Sequence, residues 1–572
     1  MPALPATAAA ATDLPLFSLD DIALLITKGI DAGNAMPWAA FDLGPDRSLT
    51  YDVSRLSPAE ARVARAALQA WSDVTGITFT EETPRPLPET PVIVETADIP
   101  RGPHGIEHLQ IGQTLQGQLG QPGARDWIGV RLEAGKTYLF DLQDAGPAEG
   151  FEDPWFRLIS PEGKTLVGAG IGIDAAGRSV IPFTATQSGL YYLSPENYDD
   201  KGTGAYRVTA HEGDYLADIL FNNDTSRSAY NMNVEQGHQI TLATIAISAD
   251  WLPTPPALNS YWLETYIHEI GHALGLSHPG YYNGTADFDE QALFRNDSVI
   301  HTIMSYFGAG TNPHVDIAPG VVMTPMAADI LALQSLYGDE ASLRPGPTTY
   351  GAGSNVGGYL GRMFAAIFDG AAVAPFVWSG TPILLTLHDT GGIDTLNLWP
   401  VRADQFISLR PETLSITGGA SSANLAISRG TVIENAVGGF GDDAILGNAA
   451  ANHLQGRAGD DEIIGGRGAD TLRGGAGDDI LSGGAGDDLL RGAGGADVFH
   501  FTRGHDVIAD FTATEDAVVL AERLWSTLDT GALLASARVT GAGLLLQLAP
   551  GSSLMLRGIS DAADLADALL IG

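Results

Sequence analysis

The stretch His268-Glu269-Ile270-Gly271-His272-Ala273-Leu274-Gly275-Leu276-Ser277-His278 decides the fold of the chain around it. Residues four apart lie on the same face of an α-helix, so His268 and His272 can direct two imidazole nitrogens at one cation. Glu269 sits beside them on that helix. A pair of histidines at this spacing with an adjacent glutamate is typical of a catalytic Zn²⁺ site in which the carboxylate acts as base.

The second half of the motif supplies a third ligand. Gly275 can adopt the left-handed conformation that ends the helix and turns the chain back, which brings His278 to the same cation. Three protein ligands leave the fourth position of Zn²⁺ for water, as catalytic sites require. The alternative is that these histidines have this spacing by chance, and the added glycine and histidine weaken it.

A second feature lies downstream, at Thr302-Ile303-Met304-Ser305-Tyr306-Phe307. It resembles the methionine-containing turn of the metzincin proteases, although Met304 alone would more often be a core residue. His278 is followed by Pro279-Gly280-Tyr281-Tyr282-Asn283-Gly284. With these residues the chain resembles the serralysin family of metzincin zinc proteases, of the peptidase M10 type. The resemblance implies that Tyr306 is a further zinc ligand at rest and stabilises the oxyanion during catalysis, and that Met304 and Gly275 are structural.

Composition limits the possible classes of protein. The chain has 572 residues, too many for one ordinary domain, and its length suggests three to five. A formal net charge of -39 argues against nucleic acid or an anionic membrane as partner and suits calcium. The absence of cysteine excludes disulfides, thiolate zinc ligands and a cysteine-based zymogen switch. No stretch approaches the roughly 18 uninterrupted apolar residues of a membrane span, and the N-terminus lacks the features of a signal peptide.

We expect a multidomain protein whose first domain is an α+β metzincin catalytic domain, split into residues 41–101 and 215–340. Residues 1–40 would form a propeptide of a zymogen by resemblance, or an unstructured tail. Leu49–Val53 has the pattern of a strand, and the helix after it begins with a capping box at Ser57. The closing helix is expected at 328–338.

Residues 102–214 interrupt this domain with alternating strands separated by turn residues, which predicts an all-β module. Trp127–Leu132 and Thr137–Leu142 are two of these strands. The segment resembles the prepeptidase C-terminal β-sandwich, a module that usually follows its protease. Two interpretations stay open here: an exosite that engages substrate, and a solvated insertion in a tolerant loop.

Gln239–Ile247 has strand alternation just before the zinc helix. We expect it to be the edge strand that pairs with an extended peptide substrate, although an interior strand would look the same. Asn259 or Ser260 is expected to cap the zinc helix.

From Gly438 the sequence repeats every nine residues, which predicts a parallel β-roll of the calcium-binding RTX type over 341–511. The sixth position of each unit is acidic or an amide and the eighth is apolar. Glycine-loop carbonyls and the sixth residue would bind Ca²⁺ while the eighth points into the roll. A flexible glycine-rich linker would explain one unit but not seven in register.

Several structural Ca²⁺ ions are expected. By resemblance, the join between the halves supplies ligands at Arg344 (through its carbonyl), Gly346, Thr348, Asp389, Gly391, Gly392, Asp394 and Glu434. In the roll the expected ligands are Gly439, Gly441, Asp443, Asn448, Asn452, Asp461, Asp470, Asp479, Asp488 and Asp497. Pro347 stands where aspartate is expected, and the unit containing Asn448 and Asn452 is degenerate.

Residues 512–572 are expected to form a cap and, at Asp567–Gly572, a signal resembling that of type I secretion. This implies an extracellular location, reached through the type I secretion machinery without an N-terminal signal peptide. Low cytosolic calcium would leave the roll unfolded until export. We expect a monomer that acts on protein and peptide substrates, and the sequence leaves open whether a proteinaceous inhibitor binds it.

The predicted function is that of a secreted, calcium-stabilised zinc endopeptidase in which Glu269 is the base. The alternative is a calcium-folded extracellular adhesion or binding protein with an inert protease-like domain, against which the retention of Glu269 argues. A third possibility is a protease with one narrow target selected by the inserted module.

Overall fold

The computed structural model describes residues 14–29, 39–82, 85–121, 123–145, 154–167, 171–172, 178–197, 203–224, 228–250, 256, 258–339, 343–371, 382–521 and 529–571. The protein is β-rich, with few helices and several parallel sheets. The helices are α1 (Leu19–Lys28), α2 (Pro58–Thr75), α3 (Tyr261–Ala273), α4 (Phe288–Gln291), α5 (Ala327–Tyr337), α6 (Gly358–Phe368) and α7 (Thr530–Ser536), with a 3-10 helix at Ala562–Leu565. Of the described helices, not one combines the length and the apolarity that crossing a membrane takes.

The first sheet belongs to the segment that contains the zinc motif. Strands are numbered along the whole chain, and this sheet contains β1 (Ala40–Phe41), β2 (Ser48–Asp52), β3 (Thr78–Glu81), β14 (Ile219–Asp224), β15 (Ala229–Gln236) and β16 (Gln239–Ser248). Its order is β1-β16-β14-β2-β3, with β15 paired antiparallel to β16 on the other side. Helices α2 and α3 pack against each other, and the buried indole of Trp71 donates to the carbonyl of Ile267 at 3.0 Å.

Our expectation that 239–247 forms the edge strand is wrong. β16 pairs in parallel with β14 and antiparallel with β15, so both of its sides are occupied. Its residues from Leu242 to Ser248 are all buried. Within the described chain β15 pairs only with β16, so β15 is an edge strand of the sheet, as β3 is at the opposite edge.

The N-terminal helix α1 is part of the core, which disagrees with the alternative of an unstructured tail for residues 14–29. Ile22, Leu25 and Ile26 are buried, and Phe17 stacks on Phe294 at 4.7 Å between ring centroids. The Ile26 carbonyl accepts the N–H of Ser277 at 2.7 Å. The helix thereby supports the turn that carries His278.

The inserted module consists of two stacked sheets. Its strands are β4 (Val92–Val94), β5 (Gln113–Leu119), β6 (Ile128–Leu132), β7 (Thr137–Asp144), β8 (Pro154–Ile159), β9 (Thr165–Val167), β10 (Ile171–Gly172), β11 (Ser179–Thr184), β12 (Gly189–Asn197) and β13 (Gly204–Glu212). The sheet orders are β10-β11-β7-β13-β5-β4 and β6-β12-β8-β9. Because β4 belongs to the first of these sheets, the module begins ahead of residue 102, and residues 96–99 are not a strand.

The module shares a hydrophobic core with the host sheet. Leu220, Val234 and Leu242 of the host lie in one buried cluster with module residues such as Phe140 and Phe183. Gln236 of β15 exchanges hydrogen bonds with the backbone of Thr184 in β11. A solvated insertion would not bury host residues, so that interpretation disagrees with the structure.

The join between the halves continues the catalytic segment across the boundary that we expected at 340. It contains β17 (Val321–Val322), β18 (Thr349–Gly351), β19 (Ile383–Leu387), β20 (Thr395–Asn397), β21 (Phe406–Ser408), β22 (Leu414–Ser415) and β23 (Leu425–Ile427). β17 pairs in parallel with β19, so one sheet spans both sides of residue 340.

The C-terminal half is a roll of two mainly parallel sheets. Its strands are β24 (Asn435–Val437), β25 (Ala444–Leu446), β26 (His453–Ala458), β27 (Glu462–Arg467), β28 (Thr471–Ala476), β29 (Ile480–Ala485), β30 (Leu489–Gly494), β31 (Val498–Phe501), β32 (His505–Ile508), β33 (Ala517–Leu520), β34 (Arg538–Thr540), β35 (Gly543–Ala549), β36 (Ser552–Leu556) and β37 (Leu569–Ile571). From β24 to β32 consecutive strands alternate between sheets, so partners are 18 residues apart, as Leu454 and Leu472 are, whereas β34, β35 and β36 pair antiparallel within one sheet. The buried eighth residues of the units fill the space between the sheets.

The roll extends past residue 511, where we expected a separate cap to begin. β36 pairs in parallel with β32, and β37 pairs in parallel with β33. Residues 569–571 are therefore the last strand of the seven-stranded sheet.

Candidate active site

Helix α3 carries the first half of the zinc motif and is fixed at both ends. Ser260 is its N-cap and accepts the N–H of Trp262 at 3.3 Å. At the other end, Asn233 of β15 donates its side-chain amide to the His272 carbonyl at 3.0 Å. Gly275 follows with φ of 97°, and a Cβ there would lie 2.3 Å from the Ala39 carbonyl oxygen. Glycine is therefore required at this turn for both conformation and space.

The three histidines converge on one point. The Nε2 atom of His278 lies 3.1 Å from Nε2 of His268 and 3.0 Å from Nε2 of His272. Their other ring nitrogens face the backbone, since Nδ1 of His268 lies 2.8 Å from the Ile303 carbonyl and Nδ1 of His272 lies 2.7 Å from the Leu276 carbonyl. A carbonyl can only accept, so each Nδ1 carries the proton and each Nε2 presents a lone pair.

Burial keeps these rings neutral. It lowers the pKa of His268 to about 3 and that of His272 to about 4, and it lowers the pKa of His278 as well. Neutral imidazoles are the form that binds metals. Tetrahedral Zn²⁺ with Zn–N distances of about 2.0–2.1 Å would separate its ligand nitrogens by about 3.3 Å, close to the spacing here. The three side chains fit one zinc ion.

Glu269 lies beside this cluster, buried and without a partner. The side chain is 5% exposed, and its Oε2 atom accepts no hydrogen bond within the described part of the protein. Burial raises the pKa of its carboxyl group to about 8. A carboxyl whose pKa is moved toward neutrality can both take up and release a proton near pH 7.

Tyr306 faces the histidines from the turn after the helix. Its ring centroid lies 4.7 Å from that of His278 and 5.6 Å from that of His268. Burial raises the pKa of its phenol, so the group stays protonated and can donate a hydrogen bond.

Met304 lies beneath the cluster and is fully buried. A Cβ on Gly271, on the inner face of α3, would lie 2.7 Å from the Met304 sulfur and 3.2 Å from Cζ2 of Trp71. The helix and the turn approach this closely because residue 271 has no side chain.

Two buried aspartates that sequence reasoning missed hold the turn in place. Asp329 accepts from the Thr302 hydroxyl at 2.5 Å and from the Ile303 N–H at 2.8 Å. Asp297 accepts from the Ser305 hydroxyl at 2.6 Å. Asp329 stands in the first turn of α5, a common capping position that could have been found from sequence, whereas the surroundings of Asp297 carry no such signal.

Two cavities flank the histidines along edge strand β15. One, of about 620 Å³, is lined by Asn231, Asn233 and Glu235 of β15 and by His272 and His278. The other, of about 580 Å³, begins at Ser228 and Ala229 and extends along α3 past His268. Glu269 and Tyr306 line both cavities, so these two side chains lie between them.

At the join, several residues expected to bind calcium meet at Asp394. Its Oδ1 accepts the N–H of Thr348 at 2.7 Å, and its own N–H donates to Glu434 at 2.7 Å. A Cβ on Gly392 would lie 2.5 Å from the Gly346 carbonyl oxygen and 2.7 Å from Asp394 Oδ1. The other oxygen of Asp394 is buried and has no partner within the described chain.

Three further residues of the join contact other groups. Both oxygens of Asp389 accept hydrogen bonds, from the Gly391 N–H at 3.2 Å and from the Tyr350 hydroxyl at 2.9 Å. The Arg344 guanidinium lies 2.8 Å from Asp73 on α2. Arg344 can reach a cation only through its backbone carbonyl.

In the roll, the aspartates form a ladder with an 18-residue period. The N–H of Asp461 donates to Oδ1 of Asp479 at 3.0 Å, and the N–H of Asp479 donates to Oδ1 of Asp497 at 3.0 Å. In each of five units one carboxylate oxygen is buried without a hydrogen bond from the described residues: Asp443, Asp461, Asp470, Asp479 and Asp488. A buried oxygen of this kind needs a partner, and the donor set of carboxylates and glycine carbonyls suits Ca²⁺.

The other expected ligands lie in the same loops. Gly439 donates its N–H to Asp443 at 2.6 Å, and Asn448 donates its N–H to Asn452 at 2.9 Å. Asp488 N–H donates to Asp506 at 3.1 Å and Asp497 N–H donates to Asp516 at 3.0 Å, so the ladder continues past residue 511 into the residues that we expected to form a cap. At Gly441 the chain passes so close to Ala403 that a Cβ would lie 2.5 Å from its carbonyl carbon.

Comparison with known proteins agrees with the C-terminal half of this description. The family model described as Peptidase M10 serralysin C terminal matches residues 376–530. A serralysin from Photorhabdus laumondii subsp. laumondii is 40% identical over 202 residues, which is 35% of this chain and 39% of that protein. Metallopeptidase AprA from Pseudomonas marginalis is 34% identical over 287 residues, 48% of this chain and 56% of that protein.

The chain thus spans roughly two fifths to just over half of the length of these relatives. The resemblance that the zinc motif and the methionine turn suggested is confirmed at the level of the family. The matched C-terminal family model and the serralysin and AprA relatives together support the assignment of this chain to the serralysin family of metalloproteases.

Proposed function

We propose that the protein is a secreted, zinc-dependent endopeptidase that hydrolyses peptide bonds of extracellular proteins and is stabilised by calcium. One observation carries the proposal: three neutral histidine nitrogens converge within 3.1 Å beside a buried carboxyl group that has no partner among the described residues. A structural metal site would be closed by a fourth protein ligand and would have no use for such a base.

His268, His272 and His278 would hold the zinc ion, and Tyr306 would be a further ligand at rest. When bound, zinc supplies Lewis-acid chemistry that activates water and polarises the scissile carbonyl. Glu269 accepts the proton of the attacking water and later delivers it to the leaving amine. The Tyr306 phenol donates a hydrogen bond to the developing oxyanion.

The substrate would bind as an additional strand. β15 is an edge strand of its sheet in the described chain and runs past both cavities at the histidines. An extended peptide that pairs with it places backbone carbonyls near the site and side chains in the cavities. We therefore assign substrate pairing to β15 and not to β16, for which the sequence predicted it.

Calcium and export complete the proposal. The unpartnered aspartate oxygens of the roll support several Ca²⁺ ions, with the roll folding only where calcium reaches extracellular levels. Secretion through a type I system and an uncleaved C-terminal signal remain part of the proposal, as do a propeptide and a monomeric state.

The test is casein hydrolysis by the purified protein in millimolar calcium, beside the variant Glu269→Gln. We expect Glu269→Gln to keep its zinc, since residue 269 is not a ligand, and to lose activity by about 10²-fold or more because the proton acceptor is gone. Zinc content is measured by metal analysis of the same preparations. A zinc-selective chelator should abolish wild-type activity.

Glu290→Gln is the matched control. It removes the same charge as Glu269→Gln, but Glu290 is exposed on α4 and lines neither cavity. Its activity should equal that of the wild type. Full activity of Glu269→Gln would contradict the mechanism. A folded, zinc-loaded wild type without activity on casein or peptides would favour the adhesion protein instead.

A further inference from the structure

Glu264 is an acidic side chain in the first turn of the zinc helix, one turn ahead of His268. Its Oε2 atom accepts the N–H of Val322 at 2.9 Å. In the described chain its second oxygen receives no hydrogen bond, and no cation pairs with the carboxylate. A carboxylate held in this way by one backbone contact keeps half of its accepting capacity for another group.

The side chain of Glu264 borders the 580 Å³ cavity. Glu264 lines its wall together with hydrocarbon from Val299, Ile303 and Leu384. Besides Glu264, the ionisable groups of this lining among the described residues are His268 and Glu269 of the catalytic cluster and the phenols of Tyr261 and Tyr306. Among the described residues that line this mixed polar and apolar cavity, Glu264 is the carboxyl group outside the catalytic cluster.

The direction of the substrate strand decides which residue enters this cavity. β15 runs from Ala229 to Gln236, passing the 580 Å³ cavity first and the 620 Å³ cavity afterwards. Antiparallel pairing is somewhat more stable than parallel pairing, so the substrate runs in the opposite sense. Residues on the N-terminal side of the scissile bond then lie at the larger cavity, and those on the C-terminal side lie at Glu264.

We propose that Glu264 makes the enzyme prefer lysine or arginine as the first residue of the leaving product. The proposal rests on the endopeptidase function above and adds its specificity. The methylene stem of such a side chain would pack along Val299, Ile303 and Leu384, and its cationic end would reach the open oxygen of Glu264. A charge-assisted hydrogen bond is stronger where the surroundings exclude water.

The test uses four peptides that differ only in the residue after the scissile bond: lysine, arginine, methionine or glutamate. Methionine matches the unbranched four-atom stem of lysine but lacks the charged ammonium group. For the wild type in millimolar calcium we expect kcat/KM for the lysine and arginine peptides to exceed that for the methionine peptide by about tenfold or more, and the glutamate peptide to be poorest. Sequencing of the products identifies the bond that is cleaved.

Glu264→Gln removes the charge and keeps an oxygen for the Val322 N–H. We expect it to abolish the preference for lysine and arginine while the methionine peptide is cleaved at the wild-type rate within about twofold. Glu290→Gln, the charge-matched control, should keep the preference.

Several results would overturn the proposal. Equal cleavage of the lysine and methionine peptides by the wild type would do so and leave the endopeptidase function standing, as would a basic residue selected on the other side of the bond. An equal loss of both activities in Glu264→Gln would assign Glu264 to the stability of α3. No cleavage of any peptide by the zinc-loaded protein would overturn the endopeptidase function and this specificity with it.

Discussion

Glycine is required at position 271 by the side chains that pack beneath the zinc helix, and not by the conformation of the helix itself. In an isolated helix, replacing glycine by alanine stabilises by about 1 kcal/mol. Here the added methyl group would meet the Met304 sulfur at 2.7 Å, and overpacking of a close-packed core costs about 1–3 kcal/mol. We therefore expect Gly271→Ala to lower the free energy of unfolding by up to about 2 kcal/mol, measured by urea denaturation.

The partner residue provides the control for this prediction. Met304→Ala removes the atoms that the new methyl group would meet, so the cost of Gly271→Ala should shrink in the Met304→Ala background. Gly120→Ala, at an exposed site where an added Cβ meets nothing within 4 Å, should change stability by no more than about 0.5 kcal/mol. Additive effects of Gly271→Ala and Met304→Ala would contradict direct packing between the two.

The sequence predicted those residues of the site that lie close together along the chain. The three histidines, Glu269 and Gly275 belong to one helix and its following turn, so spacing alone brings them together. Glu264 lies one turn away on the same helix, yet its contact with Val322 is 58 residues distant along the chain. Sequence spacing carries no information on such a contact.

Among the elements, the exchange of β15 and β16 shows where strand patterns stop being informative. β16 is buried along nearly its whole length because α3 packs near one face and the inserted module covers the other. The alternation of 239–247 correctly predicts a strand, but the edge position depends on which neighbours pair with it. The neighbours β14 and β15 pair with β16 through backbone hydrogen bonds, so the side chains of β16 do not reveal which strands flank it.

The aspartate ladder leads to a prediction for the pH dependence of the roll without calcium. Burial, with added repulsion from neighbouring carboxylates, raises the pKa of Asp461 and Asp479 to about 7 and that of Asp506 to about 8. Because these values lie above the ordinary pKa of 3.8, the folded roll binds protons more tightly than the unfolded chain does. The stabilisation is fully present below pH 3.8 and is lost as pH rises to about 8.

In a chelator we therefore expect the roll to hold more structure near pH 4.5 than near pH 8, as followed by circular dichroism. Millimolar calcium should reverse this trend, since Ca²⁺ binds the ionised carboxylates. A calcium-free roll that is equally folded at both values of pH would contradict the assignment of these oxygens to calcium.

At the scale of the whole molecule, the inserted module covers part of the catalytic sheet. Its removal would expose Leu220, Val234 and Leu242, which are buried against it. Exposure costs about 1.5–3 kcal/mol for each such side chain. We expect a variant in which a short linker replaces 86–213 to unfold at lower urea concentration and to aggregate.

A second variant of this deletion separates burial from other effects. Threonine at 220, 234 and 242 keeps strand propensity but presents a polar group, and it should restore solubility to the shortened protein. A shortened protein as stable as the wild type would show that the module is only a spacer. Unchanged cleavage of folded proteins would argue against the exosite that the sequence left open.

The module was recognisable from sequence as a unit, whereas its attachment was not. Alternating strands such as Thr137–Asp144 reveal an all-β segment, but the register of β4 against β5 and the shared core depend on contacts between distant parts of the chain. For the roll, the nine-residue period fixed the pairing because identical units stack in only one way. β37 lies outside the nine-residue repeats, so the sequence did not predict its place as the last strand of its sheet.

The end strands of the module, β4 and β13, both pair with β5, with Val92 opposite Thr114 and Thr114 opposite Thr209. Neighbouring strands lie about 4.8 Å apart, so the two ends of the module lie roughly 10 Å apart and a short linker could join them. In evolutionary terms such a segment is portable. A recombination event that exchanged it for another domain with similarly close ends and a matching apolar face would leave the host sheet intact, and the protein could thereby acquire a new surface in a single step.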